Sequence, residues 1–197
     1  DVCSSDLTDA DRVWSAAEFF DAKYAEQVSR HEQFHGTAYN LEPNIKESPG
    51  GLRDIQMIGW VAKRHFATQS LHTLVERGFL TESELQDLKD GRTFLWEIRY
   101  ALHLLAGRGE DRLLFEFQRQ IAEHFYGVDG SQQSNEIVEK FMQRYYRTVM
   151  QNERLNEMLL QIFSKELLPS KTEPSECLGK DFRITQGFLE VADDEVF

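Results

Sequence analysis

Cysteine is almost absent from this chain of 197 residues, which has only Cys3 and Cys177, near opposite ends. One such pair builds no disulfide framework and fits a reducing, cytoplasmic setting. Long apolar runs are missing too. Nothing approaches the roughly 18 residues of a membrane span, and no segment has a secretory signal pattern. Positive charge is scarce: 22 Lys and Arg stand against 34 Asp and Glu, a net charge of −12. That balance argues against non-specific binding to DNA or RNA, which needs basic surface. There is no internal repeat. The remaining composition, 41% hydrophobic and 28% charged, is ordinary for a globular protein, and the length suits one domain, or one domain plus an extension.

Hydrophobic spacing predicts helices. Ser15-Ala-Ala-Glu18 is a capping box with Trp14 and Phe19 at the staple positions. The helix it opens carries Phe20, Tyr24 and Val28 at helical spacing to about His35, and Gly36 stops it. A second helix spans about Leu52–Phe66 on a stripe of Leu52, Ile55, Ile58, Ala62 and Phe66. A short one follows at about Leu71–Arg77. Thr81-Glu-Ser-Glu84 is a second capping box. Its long helix has the seam Leu85, Leu88, Leu95, Ile98, Leu102, Leu105, closed by Gly107 and Gly109. Residues 116–125 read as a shorter helix. The last helix, capped by Ser134 or Asn135, runs to about Leu168 on Val138, Phe141, Tyr145, Val149, Leu155, Leu159 and Ile162. From Phe182 to Val191 apolar residues alternate around Gly187, as in a β-hairpin. The fold class is therefore all-α, a bundle of five to six helices with a small C-terminal β-hairpin-like extension.

The segment Tyr39–Asp54, Y-N-L-E-P-N-I-K-E-S-P-G-G-L-R-D, is the most distinctive. Pro43 and Pro49 exclude regular helix before Gly50-Gly51. The glycines permit φ > 0 and a close approach of backbone to a ligand. The helix start at Leu52 is expected to present unpaired N–H groups, a seat for an anion, with Lys46 and Arg53 on either side. Residues 36–68 carry a net charge of +1 within this acidic chain. An anionic ligand such as a nucleoside triphosphate accounts for these features. So does a plain Gly-Gly turn joining two helices, with Arg53 and Asp54 solvated.

Other patterns carry less. His31-Glu-Gln-Phe-His35 has the H-E-x-x-H form of zinc proteases. The helix ends beside the second histidine and no further ligand motif follows, so no zinc site is expected. Asp9-Ala-Asp11 has the D-x-D form of nucleotidyltransferase metal sites, but no Gly-Ser element and strand precede it, so both are expected in solvent. Trp60, Trp96, Tyr100, Tyr145 and Tyr146 lie at helical spacing and are expected in the core. Arg99 and His103 are i, i+4 neighbours that could form a buried polar pair.

The run N-L-E-P-N-I-K-E-S-P-G-G-L-R-D-I-Q-M-I-G-W-V-A-K-R-H-F resembles the bifunctional uridylyltransferase/uridylyl-removing enzymes of the PII nitrogen-regulatory protein. G-F-L-T at 78–81, L-W-E-I-R-Y-A-L-H-L-L at 95–105, R-L-L-F at 112–115 and L-N-E-M-L-L-Q-I-F at 155–163 extend the similarity from about Trp14 to Phe197. The Gly-Gly-Leu-Arg-Asp-Ile element alone is shared with glutamine-synthetase adenylyltransferases.

The resemblance implies a parent enzyme that moves UMP from UTP to a PII tyrosine with magnesium, removes it by hydrolysis, and is cytoplasmic. This chain would be its helical region beside the nucleotidyltransferase site. The His-Asp doublet of the hydrolase centre does not occur in it, and the magnesium ligands would lie outside it. No catalytic or metal-ligating residue is assigned. The expected nucleotide contacts are Lys46 for phosphate, Arg53 in support or holding the turn, and Gly50 and Gly51 for close approach. Asn44 and Asp54 would serve ribose, base or Arg53. A non-catalytic helical interaction module, or part of an adenylyltransferase-like enzyme, are the alternatives. Residues 8–168 are read as the helical domain, and 169–197 as linker and start of the next region. Residues 1–7, whose sequence matches a translated sequencing adapter, are expected to be non-native.

Overall fold

The computed structural model describes residues 14–34, 36–37, 40–68, 70–127, 134–168, 176–178, 182–185 and 188–191. Helices dominate: α1 (Ala16–Gln33), α2 (Leu52–Phe66), α3 (Thr73–Glu76), α4 (Glu82–Ala106), α5 (Phe115–Tyr126) and α6 (Ser134–Leu167). Beyond them lie β1 (Glu176–Leu178), β2 (Phe182–Thr185) and β3 (Phe188–Val191), paired antiparallel in the order β1-β2-β3. The sheet thus has three strands where the alternating pattern suggested two. Residues 1–13, with Asp9 and Asp11, and His35 lie outside the described residues.

Both capping boxes form. Ser15 Oγ accepts from the Glu18 N–H at 3.2 Å while the Glu18 carboxylate accepts from the Ser15 N–H at 2.9 Å. Thr81 and Glu84 repeat the exchange at 3.2 and 2.8 Å. These bonds hold the Glu18 and Glu84 carboxyls below their ordinary pKa. α2 has the bounds its periodicity predicts. α1 ends sooner than expected, because the Phe34 and Gly36 N–H groups both turn back to the His31 carbonyl, at 3.0 and 2.9 Å. α4 closes at Gly107, in the left-handed conformation with φ 64°. α6 takes in Ser134 itself, so that residue is helical where it was expected to cap.

α6 is the spine, in contact with α1, α2, α4 and α5. Phe20 of α1, Leu52, Ile55 and Ile58 of α2, Leu95, Ile98 and Leu102 of α4, Ile121 of α5, and Phe141, Tyr145, Leu159 and Phe163 of α6 form one buried core. Phe66, Phe79 and Phe163 meet edge-on or tilted within it, with ring centroids 5.4–6.3 Å apart. Leu105, expected on the α4 seam, is exposed. The aromatic expectation divides. Tyr145 is buried, Tyr146 is half-buried with its hydroxyl donating to the Asn40 carbonyl at 2.9 Å, and Trp60, Trp96 and Tyr100 lie on the surface. The inner face of α2 is filled by Leu52, Ile55 and Ile58, and that of α4 by Phe94, Leu95, Ile98 and Leu102, which leaves those three rings on the outer side.

Candidate functional site

The loop 40–51 is held by its own backbone and by three helices. Asn44 Oδ1 accepts from the Lys46 and Glu47 N–H groups at 3.0 and 2.8 Å, a local turn of the kind asparagine favours. Asn44 N–H donates to Ser48 Oγ at 3.2 Å. The loop also joins the segment after α4: Ile45 N–H donates to the Asp111 carbonyl at 2.9 Å and Leu113 N–H to that of Pro43 at 2.8 Å.

The N–H groups at the start of α2 are not left open. Leu52 donates to the Ile45 carbonyl at 3.1 Å, Arg53 to Lys46 at 2.9 Å and Asp54 to Gly51 at 3.2 Å. The expected anion seat at the helix start is therefore filled by carbonyl oxygens of the chain itself. The Gly50 N–H, which could have faced an anion, donates to Asp54 Oδ2 at 2.8 Å.

Asp54 is fully buried rather than solvated. Its carboxylate is paired with the Arg30 guanidinium and lies 3.0 Å from His31 Nε2 through both oxygens. The second half of α1 buries polar Gln27 and Arg30, while Tyr24 and Val28, the residues at helical spacing, stay exposed. Arg30 covers the Asp54 charge. His31, the first histidine of the H-E-x-x-H pattern, faces Asp54 as well.

The two glycines answer to the protein's own backbone. Gly50 has φ 72°, and a Cβ there would overlap the Val149 carbonyl of α6. At Gly51 a Cβ would stand 2.7 Å from the Ser48 carbonyl oxygen and 2.9 Å from that of Lys46. Asn152 of α6, itself buried, donates to the Gly50 carbonyl at 3.1 Å. Gly91 of α4 makes room for Asn152, whose amide oxygen would lie 2.5 Å from a Cβ at that position.

Lys46 and Arg53 stand on the outer edge of this rigid loop. Lys46 Nζ lies 3.1 Å from Glu47 Oε1 and 3.9 Å from Asp111 Oδ2, and its side chain keeps 28% of its exposure. Arg53 reaches Glu47 at 3.4 Å. Asp111 also receives Arg99 Nε at 2.7 Å and faces His103 Nε2 at 3.2 Å. The buried Arg99–His103 pair the spacing suggested is not formed: both side chains are only half-buried, and each reaches Asp111 instead of the other. Burial alone would raise the Asp111 pKa. The bonds from Arg99 and His103 and the charge of Lys46 outweigh it and hold the carboxyl below its ordinary value.

All six sequence candidates therefore share one loop and helix start, with different positions. Lys46 and Arg53 are accessible. Asn44, Gly50, Gly51 and Asp54 point their polar groups into the loop and bundle. Sequence reasoning missed Arg30, Glu47, Asp111 and Asn152, whose partners lie far along the chain or are invisible to periodicity. Among the described residues no group of three metal-ligating side chains comes together, and no helix is long and apolar enough to cross a membrane.

Fold and site together define an all-α domain that holds one cation-edged loop rigidly against three helices. A family model described as GlnD PII-uridylyltransferase matches residues 18–160, and the chain belongs to that family. A bifunctional uridylyltransferase/uridylyl-removing enzyme of Methylococcus capsulatus is 56% identical over 161 residues, 82% of this chain and 18% of the relative. Enzymes of the same name from Azotobacter vinelandii and a Pseudomonas aeruginosa strain are each 48% identical, over 98% and 97% of this chain and 21% of their own length. The chain thus spans about a fifth of the length of the curated relatives it matches. No solved structure matches it significantly.

Proposed function

We propose that this chain is the helical region of a bifunctional uridylyltransferase/uridylyl-removing enzyme. The parent would act in the cytoplasm, transferring UMP from UTP to a PII protein and removing it again. The loop 40–51 would form one wall of the nucleotide cleft. The observation that carries this is the contrast within the loop. Its backbone is anchored from below by Asp54 and Asn152, yet Lys46 and Arg53 stand at the outer edge, Lys46 beside Glu47 and a distant Asp111, Arg53 beside Glu47, Gln56 and the Trp60 ring. A triphosphate oxygen would take the place of Glu47 beside the Lys46 ammonium, and the fixed backbone would hold that charge ready. The contact would be made by side chains, since the helix-start N–H groups are already engaged.

Magnesium belongs to the same reading of the parent. The carboxylates nearest the loop do not fit its site, because Glu47, Asp54 and Asp111 are each committed to lysine, arginine or histidine. The metal ligands would lie elsewhere in the parent. Acidic composition, with a net charge of −12, argues against DNA or RNA as a partner.

In the parent enzyme, Lys46→Ala is expected to weaken UTP use by about 1.5–3 kcal/mol, the range for a charged hydrogen bond. Removal of UMP should hardly change. Measuring both activities separates the cases: equal loss of both would mean a folding role, and no loss of either would mean that Lys46 does not touch the nucleotide.

A further inference from the structure

The outward face of α4 carries Trp96, Tyr100 and Leu104 at successive i, i+4 positions, and they are 44%, 68% and 65% exposed. Trp60 of α2, 37% exposed, shares with Trp96 a groove of about 240 Å³. Lys23 Nζ and the Arg53 guanidinium lie 5.2 and 5.7 Å from the Trp60 ring, and the Arg99 guanidinium lies 5.1 Å from that of Trp96. Between α4 and α5 a wider hollow of about 810 Å³ continues the surface past Tyr100 and Leu104. Tryptophan, tyrosine and arginine supply most of the binding energy at protein interfaces. A contiguous exposed apolar surface usually marks a contact. The core has no place for these rings, since Leu95, Ile98 and Leu102 already fill the inner face of α4. Arg53 and Arg99 also belong to the loop network, so the face runs on from the candidate site.

We infer that this face receives another segment of the parent polypeptide, from outside these 197 residues. The inference rests on the reading of the chain as part of a longer enzyme. The matched relatives have only 18–21% of their length in common with it, so most of such a protein must pack elsewhere, and this face borders the loop proposed to line its cleft. The incoming segment would bring apolar side chains to Tyr100 and Leu104, and carboxylates to Lys63 and Arg92, which line the groove with Trp60 and Trp96, and to Arg99 over the Trp96 ring. A second copy of the chain fits less well. Two-fold pairing sets the same patch against itself, and would bury the like-charged Lys63, Arg92 and Arg99 of both copies in one interface.

Hydroxyl-radical footprinting, read by mass spectrometry without UTP, tests this on the 197-residue chain and on the parent polypeptide. Trp96 and Tyr100 should be modified readily in the chain, and should lose most of that modification in the parent, as residues desolvated at an interface centre. Buried Tyr145 should stay protected in both. The double variant Tyr100→Ser, Leu104→Ser should restore modification of Trp96 in the parent and leave Tyr145 protected, which separates undocking from unfolding. Equal modification of Trp96 in chain and parent would overturn the inference. So would protection in the chain alone that grows with its concentration, the mark of a second copy. Lys46→Ala leaves the footprint unchanged whatever it does to UTP use, so failure of the nucleotide reading and failure of this one are told apart.

Discussion

The carboxylate of Asp54 receives Arg30 from α1, faces His31, and accepts the Gly50 N–H from the loop. Removing one side of a buried ion pair leaves the other charge uncompensated, at a cost of about 3–5 kcal/mol. Asp54→Ala is therefore expected to lower the unfolding free energy by about that amount, read from urea denaturation. Asp54→Asn, which keeps an acceptor for Gly50, should lose less. A loss below about 1 kcal/mol for the alanine variant would mean Arg30 finds another partner. The sequence marks Asp54 as notable but assigns it to solvent, to ribose or base, or to Arg53. Its burial depends on Arg30, which spacing along α1 does not single out, because Tyr24 and Val28 carry the apolar period there. Lys46, in its Pro-bounded loop, keeps part of its side chain at the surface.

At the scale of helices, the signals that proved readable are those satisfied locally. α2 kept its predicted bounds because an apolar stripe and a glycine before its first turn define it without help from elsewhere. Both capping boxes formed because donor and acceptor are three residues apart. Thr81→Ala should cost about 1 kcal/mol, the usual worth of such a cap, and should lower the thermal midpoint. Part of that stability depends on pH. The Glu84 carboxyl has its folded pKa lowered by the Thr81 bonds, so its contribution is present above its ordinary value of 4.5 and is lost as pH falls through that value and on through the folded one. Asp111 has the same sign, below its ordinary 3.8. The stability gap between the natural chain and Thr81→Ala should therefore narrow as pH is lowered from 6 to 3 (about the span over which carboxylates titrate). A gap that stays constant would show that Glu84 contributes nothing to the cap. The aromatics went wrong at this same scale. Helical spacing establishes that residues share a stripe but does not say which stripe faces inward, and Trp96 and Tyr100 flank the aliphatic seam of α4 instead of joining it.

For the whole molecule, the bundle explains how a strongly acidic chain can offer a positive edge. Arg30 and Asp54 neutralise one another inside, while Lys46, Arg53 and Arg99 gather where α2, α4 and the loop meet, opposite Glu47 and Asp111. The sequence window hinted at this, but Arg99 and Asp111 lie outside it and reach the loop only through the fold. Among the described residues this assembly brings no group of three metal-ligating side chains together. The chain incubated with PII, UTP and magnesium is expected to yield no uridylylated PII and no release of UMP from the modified protein. Product above background, by mass spectrometry of PII, would overturn that expectation and the placing of the reactive groups elsewhere in the parent.

The bond from Asn152 to the Gly50 carbonyl spans 102 residues of chain, and the Arg30–Asp54 pair spans 24. Order in time follows from that difference. During synthesis the Asp54 anchor can close once α1 and α2 have left the ribosome, whereas the anchor from α6 must wait for most of the domain to be made. Contacts so far apart in sequence are slow to form, because loop closure precedes any gain from them. The most distinctive stretch of the chain is thus made early and finished late. Until α6 docks, the Gly-Gly turn is held from one side only, and a nascent chain carries the motif before it carries the shape.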